Sequence, residues 1–167
     1  KEIDMLIGIL SDSHNNRANL LYALDIFRTL GIRVLVHAGD LTLDVMLEDF
    51  KDFDLYLAFG NGDDPEMITI RARKISKRFV CGETLDLCLE NRKIFVLHGD
   101  NKALLEKRIN SGEYDYVIHG HTHCFRDEQL GSTRVINPGA LGGRFTAERS
   151  FVTIDLAKNE LQRYLVP

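Results

Sequence analysis

Three short apolar runs, MLIGIL (Met5–Leu10), RVLVHA (Arg33–Ala38) and DLYLAF (Asp54–Phe59), alternate with stretches of helical spacing. Nearly unbroken apolar runs suit strands covered on both faces. Between the first two, Leu20, Leu21, Leu24, Phe27 and Leu30 recur at helical intervals over about 16–30. Asn15 or Asn16 offers an N-cap and Gly31 a stop. A shorter helix fits about 43–50. The order βαβαβ demands parallel strands joined by right-handed crossovers.

The second half is richer in strands. KRFVCG reads as a short strand, and ETLDLCLENRKIFVLHG as a hairpin turning near 90–92. One clear later helix, 101–112, carries Leu104, Leu105 and Ile109 on one side and stops at Gly112. YDYVIHG, TRVINPGA and a closing hairpin of SFVTIDL and LQRYLV follow. No linker, repeat or low-complexity tract interrupts the pattern. The expectation is a single α/β domain over 1–167, two sheets with helices covering their outer faces.

Composition narrows the function classes. A chain of 167 residues can bury a proper core. No apolar run approaches the roughly 20 residues of a membrane span. The first residues, KEIDMLIGILSDSH, run straight into a strand pattern and lack the regions of a secretory signal. Three cysteines, Cys81, Cys88 and Cys124, make an odd count without CxxC spacing, which fits a reducing, cytoplasmic compartment. A net charge of −4 argues against a general nucleic-acid binder. Five cations in RARKISKR (Arg71–Arg78) read as solvated surface, with an anion collector as the sharper alternative.

Polar residues fall in a telling place. Five apolar runs end in clusters of Asp, Asn and His: SDSH, GD, GNGD, HGD and HGHTH. Ligand sites of α/β sheets lie just outside the carboxyl ends of strands, where loops converge. Asp12 and His14, two apart, would share one side of an extended segment, and His121 and His123 repeat that spacing. With Asp40, Asn61 and His98 they make seven candidate ligands, too many for one tetrahedral ion and suited to two. Cys124 follows His123 directly and would point to the opposite face, so it is left out.

The ordered set DSH, GD, GNGD, HG and GHTH resembles the signature of the calcineurin-like metallophosphoesterases. It is most similar to their small single-domain branch, the YfcE-like phosphodiesterases; INPGA (Ile136–Ala140) resembles a further element of that branch. The resemblance implies a four-layer αββα sandwich of two packed mixed sheets. It implies that Asp12, His14 and His123 hold one divalent ion and that Asn61, His98 and His121 hold a second. Asp40 would bridge the two ions, with manganese the leading candidate and nickel, zinc or iron as alternatives. A hydroxide bridging the ions would attack a small phosphate-ester substrate. Relatives are often homo-oligomers.

One motif departs from the family pattern. Many relatives read Gly-Asn-His-Asp or Gly-Asn-His-Glu where this chain has Gly60-Asn61-Gly62-Asp63. The histidine is placed to protonate the leaving oxygen, and Gly62 has no side chain to do so. Esters with good leaving groups should therefore be preferred. Asn61 keeps its ligand position, and Asp63 keeps the acidic position as a candidate catalytic residue. His37 and His119 lie one residue off the expected ligands and read as supporting or core histidines. Arg144 is a candidate phosphate clamp, with a surface arginine as the plainer reading. Two alternatives stand beside the phosphodiesterase: a phosphomonoesterase using the same site, and a protein-binding scaffold like one retromer coat subunit of this fold.

Overall fold

The computed structural model describes residues 5–144 and 148–167. Lys1–Asp4, the charged lead into the first strand, and Phe145, next to Arg144, lie outside the described residues.

The predicted βαβαβ start is present. Strand β1 (Leu6–Leu10) leads to helix α1 (Arg17–Thr29), β2 (Val34–His37), a short 3-10 helix (Asp44–Phe50) and β3 (Asp54–Ala58). Asn16 caps α1, its side chain accepting from the Asn19 N–H. β1, β2 and β3 pair in parallel, and β4 (Phe79–Gly82) extends the parallel set. β10 (Ser150–Asp155) adds antiparallel to β1, and β11 (Glu160–Leu165) to β10. The order is β11-β10-β1-β2-β3-β4.

The second sheet contains β5 (Leu85–Leu89), β6 (Arg92–Val96), β7 (Tyr116–Ile118), β8 (Arg126–Leu130) and β9 (Thr133–Asn137), in the order β5-β6-β7-β9-β8. Its centre, β6, β7 and β9, is parallel and its two edges are antiparallel. The β5–β6 hairpin turns at Glu90 and Asn91, both with positive φ, as a tight hairpin turn requires.

Alternation along the strands builds the layers. Ile7 and Ile9 of β1 join Val36, Ile94, Ile118 and Val152 in a core between the sheets. Leu10 instead packs with Leu24 and Phe27 of α1 and Phe50 of the 3-10 helix. On the far face of the second sheet, Phe95 and Val117 meet Leu105 and Ile109 of α3 (Lys102–Asn110). The result is the expected αββα stack of two mixed sheets. No helix among the described residues is long and apolar enough to cross a membrane.

Two elements go beyond the periodic pattern. Helix α2 (Pro65–Ile75) absorbs the start of the basic run. Its signal is local: Asp64 caps the Glu66 and Met67 N–H groups, and Pro65 opens the first turn. Only Ile68 and Ala72 are buried, so its apolar stripe is thin. Strand β8 is polar almost throughout, which suits an exposed edge and hides it from a search for apolar alternation.

Candidate metal centre

The loops after β1, β2, β6 and β7 meet at one rim. Asp12 and His14 follow β1, Asp40 follows β2, His98 follows β6, and His121 and His123 follow β7. Backbone bonds lock the loops together: Asp12 N–H donates to the Gly39 carbonyl (2.9 Å) and His14 N–H to that of Asp40 (3.1 Å). The Gly120 N–H donates to the His98 carbonyl (2.8 Å), joining the two second-sheet loops.

Two groups of donor atoms result. In the first, Asp12 Oδ1 lies 3.2 Å from His123 Nε2 and 3.7 Å from His14 Nε2. The two imidazole nitrogens are 3.0 Å apart. In the second, Asp40 Oδ2 lies 3.4 Å from His98 Nε2, and Asp12 also belongs to this group. Asp40 Oδ2 is 3.5 Å from His14 Nε2 as well, so this carboxylate touches both groups. His121 Nδ1 closes on His98 Nε2 at 3.3 Å.

These separations suit a cation. At ligand bonds near 2.0–2.2 Å, donors around an octahedral or tetrahedral ion stand roughly 2.8–3.6 Å apart. Asp12 Oδ1 is buried and has no hydrogen-bond partner. Its other oxygen is fully engaged, accepting from the Ser11 hydroxyl (2.6 Å) and the His121 N–H (3.1 Å). A buried carboxylate oxygen left bare costs free energy unless something positive meets it. The donor set, imidazole nitrogen with carboxylate oxygen, is that of borderline divalent metals.

Proton states fit the same picture. Burial opposes charge on Asp12, but the His123, His14 and Ser11 side chains outweigh it and hold the carboxyl well below its ordinary range. Burial likewise opposes Asp40, while His98 and the Gly62 N–H keep it ionised. His14 is raised, chiefly by its contact with Asp12. At His98 burial pushes down, but Asp40 and the Ala38 carbonyl win and hold it at about 9. Donation from Nδ1 to the Ala38 carbonyl (2.8 Å) leaves Nε2 facing Asp40. A dication binding there would compete with the proton on Nε2.

The backbone is held far from its resting state. Asp12, His14, Asp40, His121 and His123 all have φ between 41° and 67°. Left-handed conformations cost non-glycine residues about 1–3 kcal/mol each, and they persist only where neighbours over-determine them. The pairing of Asp12 with His14 therefore does not come from an extended segment, as the spacing suggests. A tight loop delivers it. His121 and His123 are split between the two groups for the same reason. Glycines make room: Gly39, at φ +95°, leaves no space for a Cβ, which would stand 2.6 Å from His98 Nδ1.

Asn61 and Asp63 stand differently. Asn61 is exposed on the loop after β3, while the Asp and His candidates converge. Asp63 is occupied with backbone: its carboxylate accepts from Asp40 N–H (2.9 Å), Thr42 N–H (2.7 Å) and Gly60 N–H (2.7 Å). These bonds tie the loops after β2 and β3 together. The neighbouring Gly62 N–H donates to Asp40 Oδ1 at 2.7 Å. A Cβ on Gly62 would stand 3.1 Å from that same oxygen.

His37 and His119 are buried beneath the rim, and burial pushes both down to about 4. His37 Nδ1 accepts from the Gly39 N–H (3.2 Å), so Nε2 donates to the Ser13 hydroxyl (2.8 Å). Sequence reasoning misses the Leu141–Gly143 loop. Leu141 N–H donates to the Ser11 carbonyl and Gly142 N–H to the Asp12 carbonyl, and the Asn19 side chain donates to the Leu141 carbonyl. A Cβ on Gly143 would stand 2.7 Å from the His123 ring. The Gly142-Gly143 pair is the one signal of it in the sequence.

Known proteins resemble this chain in sequence and fold. A phosphodiesterase of Methanocaldococcus jannaschii is 29% identical over 166 residues, covering 97% of this chain and 99% of that protein. The solved structure of an archaeal phosphodiesterase superposes with a TM-score of 0.92 at 28% identity, covering 97% of this chain and all of that one. Two more distant structures share the fold. They are the Escherichia coli phosphoesterase Yfce (TM-score 0.70, 19% identity, 98% and 100% covered) and Vps29 of Entamoeba histolytica (0.71, 18%, 98% and 100%). The calcineurin-like phosphoesterase superfamily domain matches residues 5–159, and the chain belongs to that family of phosphate-ester hydrolases.

Proposed function

We propose that the protein is one metal-dependent phosphodiesterase domain acting on small phosphate esters. Asp12, His14 and His123 would hold one divalent ion. His98, His121 and Asn61 would hold the second, and Asp40 would be shared. Manganese is the first candidate, with nickel, zinc and iron behind it. Bound ions of this class supply water of lowered pKa and offset charge building on the phosphoryl oxygens. The buried, bare Oδ1 of Asp12 among imidazole nitrogens carries the reading.

The chain's own residues set the stage. Ser11 and the His121 N–H fix one oxygen of Asp12 so that the other faces inward. Asp63 holds the β2 and β3 loops in register, and with them Asp40. The Ala38 carbonyl fixes the His98 ring, a support that commonly decides metal affinity. At Gly62 no side chain offers a proton to the departing oxygen, so aryl esters should leave faster than alkyl esters.

A panel of aryl phosphate mono- and diesters, assayed with manganese, nickel, zinc or no metal, tests the proposal. Diester turnover that requires metal and is lost in Asp40→Ala supports it. Metal-independent turnover, or turnover indifferent to Asp40→Ala, overturns it, and no turnover with any metal would favour the scaffold. Gly62→His tests the missing donor, since general acid catalysis is worth about 10²–10⁴-fold. Alkyl ester turnover should rise about tenfold or more relative to aryl; an unchanged ratio sinks the leaving-group account.

A further inference from the structure

A cavity of about 870 Å³ opens directly outward from His14 and His123. Gly143 forms the sill between it and the two imidazoles. Its walls carry three arginines, Arg17, Arg144 and Arg149, and the start of α1 at Asn16 and Ala18. No carboxylate lines it among the described residues.

The three arginines are not equivalent. Arg17 is spoken for: Nε and Nη2 donate to the two oxygens of Asp49 at 2.8 and 2.7 Å. Arg149 is only half-engaged, with Nη2 donating to the Gly143 carbonyl (3.1 Å) and Nε buried without a partner. Arg144 makes no ion pair with any described carboxylate and stands exposed at the mouth. Two guanidinium groups with no ion-pair partner among the described residues thus share a concave wall with the positive end of a 13-residue helix. Most other arginines, among them Arg28, Arg71, Arg78, Arg126, Arg134 and Arg163, reach a carboxylate, while Arg33 and Arg73 do not among the described residues.

The scissile phosphate does not need this wall, because its oxygens belong beside the donor groups at the rim. The space beyond is many times a phosphate's size and within the range of pockets that take whole small molecules. We infer that the cavity binds a second anionic group, a phosphate or carboxylate carried by the substrate beyond the scissile ester, through Arg144 and Arg149. The inference rests on the phosphodiesterase reading and adds a substrate class to it. The preferred diesters are those with a distal charge, held by the forked, charge-assisted hydrogen bonds that arginine makes to such anions.

The test uses thymidine p-nitrophenyl phosphate with and without a phosphate on the sugar's other hydroxyl, and a third probe with a succinyl carboxylate there. The wild-type protein should favour the distal phosphate about tenfold in kcat/KM, the worth of one charge-assisted hydrogen bond. Arg144→Gln, whose exposed position spares the fold, should lower that preference, and Arg144→Gln with Arg149→Gln should bring it near unity. Comparing the phosphate and carboxylate probes identifies which anion is read. A wild-type ratio near unity, or one unmoved in the double variant, overturns the inference.

Calorimetric binding of thymidine bisphosphate against thymidine monophosphate separates the two proposals. An affinity contrast lowered in Arg144→Gln and lost in the double variant, while no probe turns over, leaves the arginine site standing and fells the phosphodiesterase reading. Turnover without any contrast does the reverse.

Discussion

The two ends of the β-sandwich use the same residue types for opposite purposes. At the amino-terminal rim, carboxylates find partners within the chain. Asp155 accepts from the N–H groups of Ala157 and Lys158 and pairs with Lys158 Nζ at 2.9 Å. Asp115 accepts from the Lys93 N–H at the start of β6. At the carboxyl-terminal rim, Asp12 and Asp40 face imidazoles across gaps of 3.2–3.7 Å, and one oxygen has no partner. At this rim five of the six converging ligand candidates adopt left-handed backbone, whereas the left-handed Glu90, Asn91 and Asn159 of the other end serve ordinary hairpin turns. One rim is finished as it folds; the other is built to be completed by something positive.

That contrast is sharpest at Asp40. Asp40→Ala should lower metal-dependent diester turnover by more than the roughly 10–100-fold that loss of an outer-shell partner costs. Metal content by mass spectrometry should fall with it. A variant that keeps both activity and bound metal breaks the contrast.

A second expectation concerns the histidines below the rim. His37 is neutral in the fold, its pKa pushed from 6.5 down to about 4 by burial. A base depressed in this way contributes stability that is fully present above pH ~6.5 and lost as pH falls toward 4, on the order of 3 kcal/mol. Gln can both accept from Gly39 and donate to Ser13, so thermal melts of His37→Gln should lose much of their slope between pH 6.5 and 4. An unchanged slope would place the acid sensitivity elsewhere.

Asp63→Asn comes next. Replacing one acceptor oxygen by an NH2 group facing amide donors should loosen the β2 and β3 loops and reduce turnover about 10–100-fold. Restored turnover at high metal concentration would confirm that the effect passes through Asp40. The smallest effect belongs to the finished rim. Asp155→Asn should cost about 1–2 kcal/mol of stability by chemical denaturation and leave turnover untouched. A loss of activity there would erase the distinction between the two ends.

Much of this is legible in the order of residues alone. Strands β1, β2 and β3 announce themselves because central strands buried on both faces are almost wholly apolar, and α1 because its apolar residues keep helical period. Polar clusters at five strand ends mark the rim. The three backbone N–H groups that Asp63 accepts from are not legible, because an acid in a metal-site motif looks the same whatever it faces. Arg149 and Gly143 are invisible as site residues, since they reach the rim from a loop more than 120 residues after Asp12.

Local pattern thus carries the order of strands and helices, the carboxyl-end location of the polar clusters and the kinds of atom that could ligate. Those follow from periodicity and side-chain chemistry, which are properties of neighbouring residues. Which histidine joins which carboxylate, that Asp63 bridges two loops through backbone N–H groups, and that Arg144 and Arg149 line the cavity at His14 and His123 without a counter-charge among the described residues are consequences of folding. They depend on strained loops from two sheets pressing together, and no stretch of sequence contains that distance.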